Sequence, residues 1–413
     1  MRFDALSSAP YRRFWLGSIA SVGSTQLYFI GKAWLVFELS GSALDLGFLG
    51  ASTAVPTIIA TLIGGLVADR INRRSVLIFT SGFSAVLLML LGVLDASELV
   101  KVWHVLLISS LLGFVQGFDF PARSSIFPAL IEKKQMMSAV SLNSILWQGS
   151  RMILPAIGGF LISIIDTSLI FFICGIGFFC MMTVLLTLKV KYDNRINDAP
   201  WYEFKEGVIF VLKHRIFRTL IILSWISMFF GTSYIQIMPL FAEMLQSGER
   251  GFGLLISATG VGSIIGNLFI TRYQTSSKLG IMMLSSAAIA PCCLIGFSVI
   301  TWILAGEASV FWIACGLAIL SSAFSSVFLV SSMTVLQIKV PDAFRGRVMG
   351  IHSITFSMIS LGGLAAGVLA AQLSAPIAVI MGALVVMSSV IWIIFKDSEI
   401  AILDLNIESK YTI

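Results

Sequence analysis

Long apolar runs, interrupted by short polar turns, set the pattern of this chain. They fall near 14–37, 45–68, 75–95, 103–122, 139–164, 168–189, 218–244, 251–272, 279–301, 308–330, 347–371 and 375–396. Each can cross a hydrocarbon layer as a helix, which takes about 20 residues. The runs are near-continuous, unlike the short alternating stretches of a membrane barrel, so each backbone must close its hydrogen bonds within its own segment. The pattern predicts an all-α integral membrane protein with twelve transmembrane helices. The even count puts both termini on one side.

Composition supports that count. Of the 413 residues, 57% are hydrophobic and 12% charged, too apolar for one soluble core and close to what twelve helices of ~20 residues need. Cys174, Cys180, Cys292, Cys293 and Cys315 lie inside runs and read as packing residues, not a disulfide framework. Arg12 and Arg13 precede a run too long for a cleavable signal, so the first span is expected to direct its own insertion.

A net charge of +6 raises the question of nucleic acid, and its distribution answers it. Lys101 and Arg250 fall on the side opposite the termini, Lys32 and Arg151 fall within spans, and every other Lys and Arg of the 27 falls on the side of the termini. That bias follows the positive-inside rule. It predicts cytoplasmic termini, a cytoplasmic turn at Gly65–Arg74 and a cytoplasmic central loop, with no nucleic-acid partner.

Residues 190–217 form the one long hydrophilic connection. They divide the chain into an N-terminal bundle (1–189), this linker, a C-terminal bundle (218–396) and a cytoplasmic tail (397–413). Trp201 to His214 reads as an amphipathic helix at the membrane surface, or as a solvated linker with one apolar face. The halves echo one another. Gly47, Leu49, Thr53 and Val55 match Gly253, Leu255, Thr259 and Val261, while Leu142-Asn143-Ser144-Ile145 matches Ile351-His352-Ser353-Ile354. Duplicated halves suit alternating access to a site at mid-membrane.

Gly65, Asp69, Arg70, Arg73 and Arg74 load a very short turn between the second and third runs with charge. The glycine permits close helix approach, the aspartate accepts from an arginine or a helix amino end, and the arginines face anionic lipid. A turn that merely orients insertion is the alternative.

At these five positions the chain resembles the major facilitator superfamily, whose signature there is Gly-x-x-x-Asp-Arg-x-x-Arg-Arg. The wider resemblance, over nearly the whole chain, is to its twelve-span efflux branch, which includes enterobactin-type siderophore exporters and macrolide efflux pumps. It rests on Tyr11–Gly17, Ala33–Val36, Gly41–Ala43, Phe118–Arg123, Val340–Asp342 and Arg345–Met349. The resemblance implies two pseudo-symmetric six-helix bundles and a latch between Asp69 with its arginines and the start of the eleventh span at Arg345 and Arg347. Asp119 and Arg123, flanking Pro121, read either as the pseudo-symmetric partner of that latch or as a helix-end ion pair. Pro155, Gly158 and Gly159, with Arg151 one turn earlier, resemble the family's antiporter motif. Leu154 stands where the family commonly has glycine.

Charge inside a span costs about 2.5–3.5 kcal/mol on insertion scales, so the polar stripes are informative. Ser21, Thr25, Tyr28 and Lys32 share one face of the first span. Ser144, Gln148 and Arg151 share one face of the fifth, with Asn143 and Trp147 adjacent. Thr232, Gln236 and Glu243 share a face of the seventh, with Tyr234 on another. Such faces need protein or water, which predicts a polar cavity binding cargo through Lys32, Tyr28, Thr25, Asn143, Trp147, Gln148, Arg151, Tyr234 and Gln236. Two cations without an acidic residue at comparable depth favour an anionic cargo. Snorkelling of Lys32, and bonding of Arg151 to carbonyls near Pro155, are the alternatives.

No phosphate-cradling glycine loop, metal-ligand spacing or catalytic triad is evident, so neither enzyme activity nor a cofactor is expected. The leading expectation is a secondary transporter, acting as a monomer, that exports a small anionic siderophore-like molecule by alternating access with proton antiport. Asp119, Glu243 and His352 are the proton-coupling candidates, and antiport itself comes from the resemblance. A macrolide or multidrug pump, a lipid flippase, and a non-transporting receptor or scaffold are the competing readings.

Overall fold

The computed structural model describes residues 4–68, 72–188, 200–273, 279–305 and 307–396. Its elements follow the apolar runs, because a chain surrounded by lipid can satisfy its backbone only within helices. In order they are α1 (Ala9–Ser40), α2 (Ala43–Ala68), α3 (Arg73–Ala96), α4 (Val102–Ile126), α5 (Met136–Ile162) and α6 (Thr167–Thr187). After the linker come α7 (Pro200–Lys213), α8 (Arg215–Ile226), α9 (Met238–Met244), α10 (Gly248–Thr271), α11 (Leu279–Ile303), α12 (Ala308–Lys339), α13 (Asp342–Ser353), α14 (Thr355–Gln372) and α15 (Ala375–Lys396).

Eleven helical stretches among the described residues are long and apolar enough to cross a membrane, against the twelve expected. The difference is α1. Its 32 residues are ample in length, but Ser18, Ser21, Ser24, Thr25, Gln26 and Lys32 lower its mean hydropathy. Most of those polar groups are buried against protein, which is how a polar span becomes tolerable.

Two further runs depart from a single helix. The seventh is α8, a π-helical turn Ser227–Thr232, a 3-10 turn Ser233–Ile237, and α9. The eleventh divides into α13 and α14. Packing accounts for the first break. Gly362 on α14 lies against the Phe229 carbonyl and Gly382 on α15 against that of Phe230, so the widened π turn presses bare backbone onto its neighbours. Pro239, in the first turn of α9, then restarts a regular helix.

Contacts divide the chain into two units: Met1–Gly41 with Ser52–Pro200, and Ser42–Ala51 with Trp201–Ile413. In the first, α1 packs on α5 and α6, and α3 on α4 and α6. Gly113 and Gly117 of α4 admit α2 so closely that a side chain at Gly117 would sit 2.8 Å from the Thr57 carbonyl. In the second, α12 packs on α10 and α11, and α11 also on α15. Gly262 and Gly266 of α10 back onto the carbonyls of Ile319 and Ala323 of α12. Both pairs are Gly-x-x-x-Gly, the spacing that lets membrane helices approach without a hydrophobic driving force.

Helix α7 docks on α13. Phe210 stacks on Phe344 with centroids 4.4 Å apart, and Arg347 Nη1 donates to Glu206 Oε2 at 2.6 Å. Ile209 and Leu212 remain exposed on its other side.

Candidate functional site

The polar stripe of α1 ends at Lys32, which is only 6% exposed. Its Nζ donates to Thr53 Oγ1 of α2 at 2.9 Å and lies 4.9 Å from the centre of the Tyr28 ring. Tyr28, one turn earlier, shares a hydrogen bond of 2.7 Å with Ser109 of α4 and meets Phe171 of α6 edge-on at 6.3 Å. Three helices thus hold the lysine in place. An ammonium has three donors, and neither a hydroxyl nor an aromatic face carries a full negative charge. Among the described residues no carboxylate pairs with Lys32. This cluster can accept an anion that supplies the missing acceptors. Thr25 does not join it, since its hydroxyl donates back to the Ser21 carbonyl at 3.0 Å.

Along α5, Asn143, Trp147, Gln148 and Arg151 are all half-buried, with Asn143, Trp147 and Arg151 on one face and Ser144 exposed. In the second unit, Tyr234 and Gln236 sit in the 3-10 turn at 3% and 6% exposure. Gln236 Nε2 donates to Ser360 Oγ on α14 at 3.1 Å, above Gly363, where a side chain would collide with the Gln236 stem. A cleft lined by Ser227, Thr232, Tyr234, Ser321, Ser322 and Ser325 measures about 30 Å³, room for about a water molecule and not for a cargo.

The predicted charged motif divides between regions. Gly65 falls in the last turn of α2, whereas Asp69 and Arg70 lie outside the described residues. Arg73 reaches the Ser125 carbonyl at 3.5 Å, and Arg74 donates to the carbonyls of Leu185 and Leu186, both at 2.8 Å, tying the start of α3 to the end of α6. Asn72 caps α3 by accepting from the Arg74 amide at 3.0 Å.

Asp119 and Arg123 form an ion pair one turn apart on α4, with Nε to Oδ2 at 3.0 Å. Thr80 donates to Asp119 at 3.0 Å, and Arg123 Nη1 donates to Ser18 at 3.2 Å and Ser21 at 3.3 Å. Arg345 pairs with Asp342 at 2.5 Å, within α13. Arg347 is held by Glu206 of α7. Of the proton candidates, Asp119 is thus paired, Glu243 is exposed, and His352 is 2% exposed with Nδ1 3.5 Å from Thr355 Oγ1 and Nε2 without a hydrogen-bond partner.

Sequence reasoning missed Thr53, Ser109, Ser360 and Glu206. Thr53 adjoins Ser52, Ser109 adjoins Ser110 and Ser360 follows Ser357, so each is one of several hydroxyls in an apolar run and nothing in the sequence singles it out. Among the described residues, no group of three or more His, Cys, Asp or Glu is arranged to hold a metal ion.

Known proteins bear on this geometry. The structure superposes on a bacterial homologue of the human lysosomal transporter Spinster, captured inward-facing and unoccupied, with a TM-score of 0.68 at 16% identity over 96% of this chain and 98% of that one. It also superposes on the nucleoside transporter NupG, with a TM-score of 0.71 at 11% identity over 94% and 98%. At such identities the likeness concerns the fold. In sequence, the chain is 25% identical to the staphyloferrin A transporter of Staphylococcus aureus over 81% of this chain and 83% of that protein. It is 24% identical to the enterobactin exporter EntS of Escherichia coli over 89% and 88%. The model of the transmembrane secretion effector family matches residues 2–411. The chain therefore belongs to that family of major facilitator transporters, a multi-pass bacterial inner-membrane protein that moves a small molecule and is not an enzyme.

Proposed function

We propose that this transporter exports a small anionic, siderophore-like molecule by alternating access, driven by proton antiport. The observation that carries the reading is Lys32, a buried cation whose neighbours are a hydroxyl and a ring instead of a carboxylate. A lone buried charge is expensive unless something offsets it, and an anionic cargo does so at the moment of binding. The two relatives named for siderophores fit this cargo class. Arg151, Asn143, Trp147 and Gln148 of α5, with Tyr28 of α1 and Tyr234 and Gln236 of the second unit, complete the proposed binding set.

His352 is the proposed proton carrier. Its Nε2 is buried and unmatched, so a proton there has no fixed acceptor and can be exchanged as the local environment changes. Asp119 is committed to Arg123 and Glu243 is exposed, which leaves each with less to gain from a change of state. Asp69, Arg70, Arg73, Arg74, Arg345 and Arg347 are proposed to bias the alternating equilibrium, with both termini cytoplasmic and the chain acting as a monomer.

Two measurements test the proposal. A deletion strain should lose a secreted anionic chelator from its culture supernatant under iron starvation; an unchanged profile in both iron-starved and iron-replete medium removes the cargo assignment. In energised inside-out vesicles, His352→Gln should abolish transport driven by a pH gradient while leaving cargo exchange intact. Gradient-driven transport that survives in His352→Gln moves the proton elsewhere.

A further inference from the structure

A second cationic feature lies outside everything used so far. Helices α8 and α15 flank a groove of about 490 Å³ lined by Arg215, Arg218, Ile222, Ile226, Trp392 and Lys396, with Thr219, Leu223, Ser388, Ser389 and Ile393 between them. That is within the range of small-molecule pockets. Its polarity runs one way. On α8 the lining begins with two arginines and becomes aliphatic over the eleven residues to Ile226, about 16 Å of helix. On α15 the cation is the last residue of the helix. Arg215 Nη2 donates to the Lys396 carbonyl at 2.8 Å, so the charged ends meet.

Lys396 Nζ stands 4.5 Å from the Trp392 ring centre, and Arg218 donates to the Leu212 carbonyl at 3.1 Å. Ser388 and Ser389 both donate to the Val385 carbonyl, at 3.0 and 2.8 Å, which quenches their polarity and leaves the far end effectively apolar. Among the described residues no Asp or Glu lines the groove. Asp397 and Glu399, next in the chain, lie outside the described residues.

We propose that this groove binds one anionic phospholipid, its phosphate at Arg215, Arg218 and Lys396 and an acyl chain along Ile222 and Ile226. A soluble anion would use the cations and leave the aliphatic half idle; a neutral lipid would do the reverse. Only a molecule with a negative head and an apolar tail matches both ends, and basic pockets between membrane helices at one leaflet recognise such heads. A tryptophan at the boundary fits the same depth, since aromatic rings collect at the headgroup level. This inference does not rest on the cargo or on proton coupling.

The full-length protein in phosphatidylcholine vesicles, titrated with brominated phosphatidylglycerol or brominated phosphatidylcholine, tests it through quenching of Trp392, isolated as the difference from Trp392→Phe. Half-maximal quenching is expected at a mole fraction on the order of a hundredfold lower for the anionic lipid, given that each of the three basic side chains near the surface contributes on the order of a fivefold preference. Arg218→Gln with Lys396→Gln should cut that preference to about the fivefold that Arg215 alone supplies, Arg218→Lys with Lys396→Arg should keep it, and Arg272→Gln, removing charge just past the end of α10, should leave it unchanged. Equal quenching by the two lipids, an undiminished preference in the double glutamine variant, or relief of quenching by soluble glycerol phosphate overturns the proposal.

Discussion

Lys32 and Arg123 are two buried cations of the same unit, 6% and 8% exposed, and they are treated in opposite ways. Arg123 is surrounded by acceptors: the Asp119 carboxylate and the hydroxyls of Ser18 and Ser21, with Thr80 completing the carboxylate. Lys32 has one hydroxyl and one ring. The first cation is satisfied by the resting fold and works as a fastener of α1, α3 and α4. The second is held in position but left short of negative charge, the condition expected of a group whose proper partner arrives from outside. Burial alone does not distinguish structure from function; the acceptor inventory does.

The comparison can be broken experimentally, and the largest effect should come from the satisfied cation. Arg123→Ala strands Asp119, and loss of one member of a buried pair costs about 3 kcal/mol or more when burial is complete. A clearly lower melting temperature in detergent is expected, with much of it regained when Asp119→Asn and Arg123→Met are combined. No loss on removing Arg123 would mean that the pair does not fasten the helices.

Lys32→Met should do the reverse. The melting temperature should hold or rise, because an incompletely compensated buried charge is removed, while affinity for an anionic cargo falls by about tenfold to a hundredfold, the worth of a charge-assisted hydrogen bond. A melting temperature that falls as far as in Arg123→Ala, with cargo affinity intact, would make Lys32 a fastener too.

Thr53→Val keeps the shape and deletes the acceptor at 2.9 Å, and should weaken cargo binding severalfold, in line with about 1 kcal/mol for one hydrogen bond. The smallest effect is expected from Glu206→Gln. Its pair with Arg347 is partly exposed, with side chains 35% and 25% accessible, and such pairs are worth about 0–1 kcal/mol. A stability change within about 0.5 kcal/mol is expected. A much larger loss would show that the α7–α13 contact is held by this charge instead of by Phe210 stacking on Phe344.

Much of this arrangement could be read before any coordinates. The spacing of Ser21, Thr25, Tyr28 and Lys32 already put one polar stripe on one face of the first span, and Asp119 and Arg123 were recognisable as a pair because a helix brings residues four apart together. Which of the two cations would be satisfied was not readable. The acceptors of Arg123 come from α1 as well as α4, and the neighbours of Lys32 come from α2 and, through Tyr28, from α4. The break at Ser227–Thr232 was equally hidden. Gly231 alone hardly marks it, and its cause sits on α14 and α15, at Gly362 and Gly382.

The sequence by itself determined the helical class, the approximate limits of most spans, the amphipathic character of the linker segment and the list of residues too polar to sit idly in lipid. These depend on hydropathy and on the 3.6-residue period, both properties of neighbours in the chain. Tertiary structure alone decided which polar groups are matched, where a span must break, that α7 lies on α13, and that Arg215, Arg218 and Lys396 gather at one end of an apolar groove. Those outcomes depend on which helices approach closely enough for side chains far apart in sequence to meet. In a chain so uniformly apolar, small residues at crossings such as Gly117 and Gly362 decide that approach, and a hydropathy pattern carries almost no record of them.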